Sequence, residues 1–290
     1  MLFSVIIPTF NNFQYLKLTI DSILNNSFYE HQIIIHINGK DDLSENYLKE
    51  KKIEYTISEN NIGLCSGVNK ASKFSKTKFI VYAHDDMFFL PKWDFYLYNE
   101  IKNIGHKFFF LSGTQIGPIE YDKELPNHIY FDAGKDLSNF DSKKLLKNYS
   151  NLEFYDLQGS HWAPHIIHKD IWEKIGGFSE EFDPGFGSDP DLNMKLWNIG
   201  VRIFKGVNKS RVYHFGSVTT RKNNKVVRNK ANKTFLLKWK ISIPFFIKHY
   251  LRRGERFSHP LTKVNYNFRS FFEFIICKIK LLAYKTKILK

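Results

Sequence analysis

The stretch that decides the fold is Phe79-Ile80-Val81-Tyr82-Ala83-His84-Asp85-Asp86-Met87. Five apolar or aromatic residues between Lys78 and His84 are typical of a buried strand. Ligands of open α/β sheets bind beyond the carboxyl ends of the strands, so Asp85 and Asp86 stand where a ligand is expected. Carboxylates there suit Mg2+ or Mn2+, and a diphosphate is the usual partner of such a metal. The stretch therefore indicates transfer chemistry on a nucleotide-activated substrate.

The sequence before this stretch alternates between strand and helix patterns. Apolar runs predict strands at residues 3–8, 32–37 and 53–57, and helical spacing predicts helices near residues 13–24 and 68–74. This alternation is typical of an α/β fold with a Rossmann-like, mostly parallel, doubly wound sheet.

Charge is distributed unevenly along the 290 residues. Residues 221–290 carry 19 Lys or Arg against only Glu255 and Glu273, whereas residues 1–220 carry 24 basic and 27 acidic side chains. This shift predicts a domain boundary near residue 220, with a catalytic domain before it and a basic, mainly helical extension after it.

Two further features concern location. Cys65 and Cys277 match no metal or redox spacing and are expected to be reduced thiols, as in a cytosolic protein. The N-terminal apolar run lacks the basic region of a signal peptide, and no stretch reaches the roughly 18 uninterrupted apolar residues of a membrane span. We therefore expect a cytoplasmic protein.

Six short motifs resemble family 2 glycosyltransferases in their order and spacing. They are Val5-Ile6-Ile7-Pro8-Thr9-Phe10-Asn11, Asn38-Gly39, Asn61-Ile62-Gly63, Asp85-Asp86, Gly176-Gly177-Phe178 and Gly187-Ser188-Asp189-Pro190-Asp191-Leu192. The resemblance covers about residues 1–220 and does not extend into the basic tail. It implies the GT-A fold and an enzyme of the bacterial surface-polysaccharide or lipopolysaccharide type.

The resemblance implies a metal-dependent, inverting transfer of a sugar from a nucleotide diphosphate sugar. A divalent cation, Mn2+ or Mg2+, would stabilise the charge that grows on the leaving diphosphate. Asp86 matches the acid that contacts the metal, Asp85 the acid that faces the ribose, and His214 the histidine that supplies a further ligand. His84 is expected to support the site rather than bind the metal. The structural alternatives are a turn cap for the two Asp and a hydrogen-bonded strand-end residue for His214.

Asp189 and Asp191 are the candidates for the base that takes the acceptor's proton. Two residues apart on a helix, they point about 200° apart, so both cannot face one cleft. Ser188 and Asp191 have the spacing of a capping box, which would give Asp191 a structural role. Asp189 also matches the family's catalytic acid by position, so we expect Asp189 to be the base and keep Asp191 as the alternative. The family usually has Glu where this chain has Ser188.

The resemblance also implies the contacts to the nucleotide, the sugar and the acceptor. Seven residues would contact the nucleotide: Pro8, Thr9, Asn11, Asn38, Asn61, Gly63 and Asp85. The position that usually gives the nucleobase an acid is Ile37 or Asn38 here, which leaves the nucleobase open, with UDP favoured. His161 and Trp162 would lie beneath the donor sugar and the acceptor, and a core position is the alternative for Trp162.

The basic tail interleaves aromatic and aliphatic residues with Lys and Arg. The apolar positions that recur at helical spacing, interrupted by Lys278, are Phe271, Phe274, Ile275, Ile279 and Leu282. Such helices bury an apolar face in an anionic bilayer surface while Lys and Arg meet the headgroups. We expect peripheral binding to the inner face of the cell membrane, where a lipid-linked glycan acceptor would be found. Helices packed on the catalytic domain are the alternative.

Two functions from other classes are weighed against this one. A basic stripe with aromatic residues could follow nucleic-acid phosphates, but the sequence holds no recognised nucleic-acid motif, and we expect no nucleic-acid partner. A noncatalytic sugar-nucleotide-binding protein is the other alternative, and the presence of Asp86, Asp189 and His214 speaks against it.

Overall fold

The computed structural model describes residues 1–119, 128–216, 225–264 and 267–286. Within these residues the strands are β1 (Ser4–Thr9), β2 (Gln32–Asn38), β3 (Glu54–Ser58), β4 (Phe79–Tyr82), β5 (Met87–Phe89), β6 (Phe109–Gly117), β7 (His128–Tyr130), β8 (Leu157–Gln158), β9 (His165–His168) and β10 (Ile203–His214). The helices are α1 (Phe13–Asn26), α2 (Asp42–Lys51), α3 (Leu64–Ser72), α4 (Trp93–Ile104), α5 (Ser142–Asn148), α6 (Lys169–Ile175), α7 (Ser188–Asn198), α8 (Lys225–Trp239), α9 (Ile243–Phe245, continued by a π-helical turn, Phe246–Tyr250) and α10 (Phe268–Lys285).

The strands form one sheet in the order β3-β2-β1-β4-β9-β6-β10-β5, with β7 beside β6 and β8 beside β10. Strands β1 to β4 are parallel to one another, as the alternating sequence pattern predicts. Every residue of β2 is buried, which is expected where helices cover both faces of a parallel strand. The α/β prediction is confirmed.

Beyond β4 the sheet is mixed. Strand β9 lies antiparallel between β4 and β6, and its first residue, His165, pairs with Tyr82 at the end of β4. Strands β5 and β8 are antiparallel to β10. Because β9 begins where β4 ends, the segment before β9 reaches the same sheet edge as Asp85 and Asp86. The mixed topology therefore adds residues 159–164 to the edge where ligands are expected.

The described part of the segment after β6 is more ordered than its polar sequence suggests. Strand β7 pairs with β6, and Asp141 caps α5 by accepting a hydrogen bond from the Lys144 amide. These elements cover a second, smaller apolar cluster that includes Phe88, Tyr213 and Phe215. The cluster packs against β5 and the end of β10.

The C-terminal helices pack on the sheet domain through α8 and α9. Phe235 and Phe246 are fully buried in the same apolar cluster as the central strands. The predicted boundary near residue 220 falls within residues 217–224, which lie outside the described residues, so the division into two domains stays a prediction. No helix in the described ranges is both long and apolar enough to span a bilayer.

Candidate active site

Three side chains converge at the carboxyl end of β4. Asp86 is 3% exposed, and its Oδ1 atom lies 3.2 Å from Nε2 of His214, the last residue of β10. Pairing with Met87 of β5 holds His214 in this place. Nδ1 of His84 lies 3.4 Å from the same Nε2 atom and 3.9 Å from the Asp86 oxygen. The ligand atoms of His84, Asp86 and His214 thus all lie within 4.8 Å of one another.

Gln115 on β6 decides which nitrogen of His214 faces the cluster. Its Nε2 donates to the Ala163 carbonyl, so its Oε1 faces Nδ1 of His214 at 3.2 Å and accepts that N–H. With Nδ1 engaged by Gln115, Nε2 is the His214 nitrogen that faces Asp86 and the cluster. Burial and the nearby His214 lower the pKa of His84 to about 4, so the His84 imidazole is neutral near pH 7. Two imidazoles and a carboxylate, with their ligand atoms this close, are a donor set that fits a divalent cation such as Mn2+.

Asp85 faces the other way and is held by β1 and α1. Thr9 donates its hydroxyl to the Asp85 carboxylate at 2.7 Å. The Thr19 hydroxyl donates to the Asp85 carbonyl and accepts from the Met87 amide, which fixes the backbone turn after β4. Burial and the neighbouring Asp86 charge raise the pKa of Asp85 to about 7. The acidic pair is therefore rigid and favours a positive charge beside it.

A cavity of about 360 Å³ opens beside this pair and is lined by Pro8, Thr9, Phe10, Asn38, Asn61, Leu64, His84, Asp85, Asp86 and Pro184. Five of the seven residues predicted to contact the nucleotide are among them. The other two, Asn11 and Gly63, do not line it: Asn11 is exposed, and Gly63 begins α3 with φ 93°. The sequence did not point to Leu64 and Pro184, which supply much of the apolar wall.

Asn38 lines this cavity, but its amide is already engaged. Its Nδ2 donates to the Gly63 carbonyl at 2.9 Å, and its Oδ1 accepts from the Ile62 amide at 2.7 Å. Asn38 therefore holds the loop before α3 in place.

Asp183 is a structural residue of the site that the sequence did not reveal. Its carboxylate accepts from the Cys65 and Ser66 amides and from the Ser66 hydroxyl, at the N-terminus of α3. Amides at a helix N-terminus lack intrahelical partners and favour a negative charge. The contact joins residues 118 positions apart and places Pro184 against the cavity.

A second cavity, of about 590 Å³, contains Asp189 in the first turn of α7. His161 and Trp162 line it on one side, and Arg228 and Arg253 of the C-terminal segment line it on another. Within the described residues no side chain bonds the Asp189 carboxylate, and burial raises its pKa to about 7. A carboxylate with this pKa is suited to accept a proton near neutral pH.

Asp191 points away from this cavity and is fully buried. It accepts a hydrogen bond from Nε1 of Trp239 at 2.7 Å and pairs with Nζ of Lys238 at 2.9 Å. The predicted capping box is wrong, because Gly187 is the N-cap and the Ser188 hydroxyl donates to the Gly185 carbonyl. Helix α8, not the start of α7, supplies the partners of Asp191.

His161 and Trp162 lie together at the sheet edge, in the segment before β9. Nδ1 of His161 lies 3.0 Å from the Gly159 carbonyl, and burial lowers the pKa of this histidine to about 4. The Trp162 ring is half-buried and packs edge-on against the His161 ring. The pair therefore lines the cavity that contains Asp189 with two uncharged aromatic rings.

Comparison with known proteins identifies the family. The sequence profile described as glycosyl transferase family 2 matches residues 4–176, which is more than half of the chain. The chain belongs to this family. No curated protein sequence matches it.

Two solved structures show the same fold. TarS 1-349 of S. aureus, in complex with UDP, has a TM-score of 0.54 at 15% identity, covering 73% of this chain and 60% of TarS 1-349. GalNAc-T7 with UDP, GalNAc and Mn2+ has a TM-score of 0.62 at 13% identity, covering 96% of this chain and 54% of that one. The chain thus spans less than two thirds of either structure. These glycosyltransferases have the GT-A fold, so that prediction is confirmed.

Proposed function

We propose that the chain is a metal-dependent, inverting glycosyltransferase. The donor would be a nucleoside diphosphate sugar, with UDP favoured, and the transferred group a hexosyl or N-acetylhexosaminyl unit. One observation carries the proposal: the ligand atoms of His84, Asp86 and His214 converge beside the cavity that Asp85 lines. The ligands named for the two similar structures, UDP in one and UDP, GalNAc and Mn2+ in the other, support it.

The residues divide the work between the two cavities. Asp86 and His214, with His84, would hold Mn2+ or Mg2+, which when bound neutralises charge on the leaving diphosphate. Asp85, oriented by Thr9, would accept hydrogen bonds from the ribose. Asp189 would take the proton from the acceptor hydroxyl as that oxygen attacks the anomeric carbon. His161 and Trp162 would contact the sugar and the acceptor.

We further propose an acceptor class and a setting. The acceptor would be a glycan or lipid-linked glycan of bacterial surface polysaccharide or lipopolysaccharide synthesis. The second cavity supports this proposal, because both Asp189 and residues of the C-terminal segment line it. The enzyme would then work in the cytoplasm, at the inner face of the cell membrane. Residues 1–220 would form the catalytic domain, and residues 221–290 would dock the acceptor or the membrane surface.

The substitution Asp189→Asn tests the catalytic part of this proposal. Removing a general base is expected to lower turnover about 10²- to 10⁴-fold while UDP binding stays unchanged. Release of UDP from a panel of UDP-sugars, with a bacterial glycolipid extract as acceptor, measures turnover, and calorimetry with UDP and Mn2+ measures binding. Asp170→Asn is the matched control, because Asp170 is exposed on α6. Equal turnover in both variants would contradict the role of Asp189 and favour a noncatalytic sugar-nucleotide-binding protein.

A further inference from the structure

Helix α10 turns a continuous apolar face to solvent. At about 100° of rotation per residue, the exposed large apolar residues fall within an arc of about 140°. They are Phe268, Phe271, Phe272, Ile275, Ile276, Ile279 and Leu282. Contiguous exposed apolar surface of this kind marks an interaction site rather than ordinary scatter.

The opposite face of α10 already makes the core contacts of the helix. Ser270, Cys277 and Leu281 are buried, and the Phe274 ring packs 5.9 Å from the Phe245 ring. The sequence suggested that Lys278 interrupts the apolar face, but Lys278 lies outside the exposed face. Its ammonium lies over the Phe274 ring, beside the packed face, and donates to the Lys240 carbonyl. The exposed face is therefore left over after α10 has packed on the protein.

Cations border this face on both sides. With the same rotation per residue, Arg269 and Lys280 flank one edge of the arc, and Lys278 and Lys285 flank the other. The acid on the helix, Glu273, is paired with Lys248 and His249, and it also lies 3.4 Å from Nε of Arg269. An apolar face between two rows of cations is the pattern of helices that lie in an anionic bilayer surface.

We propose that α10 binds the surface of an anionic lipid bilayer, with its axis in the membrane plane and its exposed apolar face among the acyl chains. Charge complementarity favours this occupant over a second copy of the chain, because pairing two such faces would bring like-charged borders together.

The cavities relate this surface to the catalytic base. A cavity of about 540 Å³ is lined by Ile276 and Lys280 of α10 and by Asn232 and Ile243. Asn232 and Ile243 also line the cavity that contains Asp189. A lipid-linked acceptor held at the bilayer would therefore find adjoining spaces between α10 and Asp189. This last step rests on the proposed function, whereas the binding of α10 to lipid does not.

Vesicle co-sedimentation of the full chain tests the proposal. Wild type is expected to bind phosphatidylcholine vesicles that contain phosphatidylglycerol, and to bind pure phosphatidylcholine far less. Phe272→Asp and Ile279→Asp are each expected to weaken binding about tenfold or more, because each removes an apolar side chain that the bilayer would bury. Lys280→Gln is expected to weaken it about fivefold, on anionic vesicles only.

The catalytic body offers matched controls. Phe74 is 53% exposed and Leu43 is 63% exposed, against 50% for Phe272 and 62% for Ile279. Phe74→Asp and Leu43→Asp are expected to bind vesicles as wild type does. All five variants should keep the wild-type melting temperature and UDP affinity, so failure of lipid binding is distinguishable from failure of the nucleotide site.

Three outcomes would overturn the proposal. One is a wild-type chain that does not bind anionic vesicles. Another is an equal loss of vesicle binding in the α10 variants and in the controls. A wild-type dimer in light scattering that Ile279→Asp converts to monomer would instead assign the face to a second copy of the chain.

Discussion

The cavity that Asp85 lines and the cavity that contains Asp189, the proposed donor and acceptor sides, are built in different ways. On the donor side, Thr9, Asp85 and Asp86 stand at the ends of adjacent parallel strands, and hydrogen bonds from Thr9 and Thr19 fix the acidic turn. On the acceptor side, Asp189 sits on a helix whose neighbouring acid, Asp191, is bonded by α8. The sheet edge thus forms one half, and packing of the C-terminal segment forms the other. Changes in that segment should therefore affect the acceptor side first.

Asp191→Ala should give the largest effect on stability. The change leaves Trp239 Nε1 without its partner and removes the buried partner of Lys238, which keeps a pair with Glu181. Since Lys238 is partly exposed, we expect a loss of about 2 to 3 kcal/mol in the free energy of unfolding, measured by urea denaturation. The folded fraction should bind UDP normally but turn over slowly.

Asp170→Ala is the control for this change and should alter stability by no more than about 0.5 kcal/mol. An Asp191→Ala variant that is as stable and as active as this control would show that α8 does not support the acceptor side.

Gln115→Leu should affect the donor side instead. Without its amide oxygen, the Nδ1 proton of His214 loses its acceptor, and the ring no longer holds Nε2 toward Asp86. We expect Mn2+ affinity, measured by titration in the presence of UDP, to fall about tenfold to a hundredfold. Gln115→Glu keeps an acceptor for that proton and should retain most of the affinity. Equal losses in both variants would show that the hydrogen bond to His214 does not matter.

The pH dependence of turnover tests Asp189 as the base. Because burial raises the pKa of Asp189 to about 7, and only the ionised carboxylate can take a proton, kcat/KM should rise with pH and level off above about 7. Below that value it should change about tenfold per pH unit. Asp189→Glu should shift this limb. A profile that is flat from below to above about pH 7 would contradict a base with this pKa.

The sequence predicted the donor side better than the acceptor side, for a physical reason. Strand periodicity and the rule that ligands bind at the carboxyl edge were enough to place Asp85 and Asp86, and the family resemblance added Thr9. Asp183 and Gln115 act on partners that are far away in the chain, at the start of α3 and at the end of β10. No local pattern marks such contacts.

Two misreadings show how tertiary packing overrides local pattern. Ser188 and Asp191 have capping-box spacing, yet Trp239 and Lys238 approach Asp191 and take its oxygen instead. Lys278 interrupts the apolar spacing of the tail, yet the helix rotates it to the border of the exposed face, where it caps the Phe274 ring. In both cases the sequence shows the side chain but not the element that packs against it.

The most direct test of the account is calorimetric binding of UDP, GDP, dTDP and CDP, with and without Mn2+, to wild type and Asp86→Ala. The account predicts micromolar, Mn2+-dependent binding of one nucleotide, UDP, and loss of that binding in the variant. Absence of nucleotide binding under every condition would contradict the metal–diphosphate site and the transferase function with it.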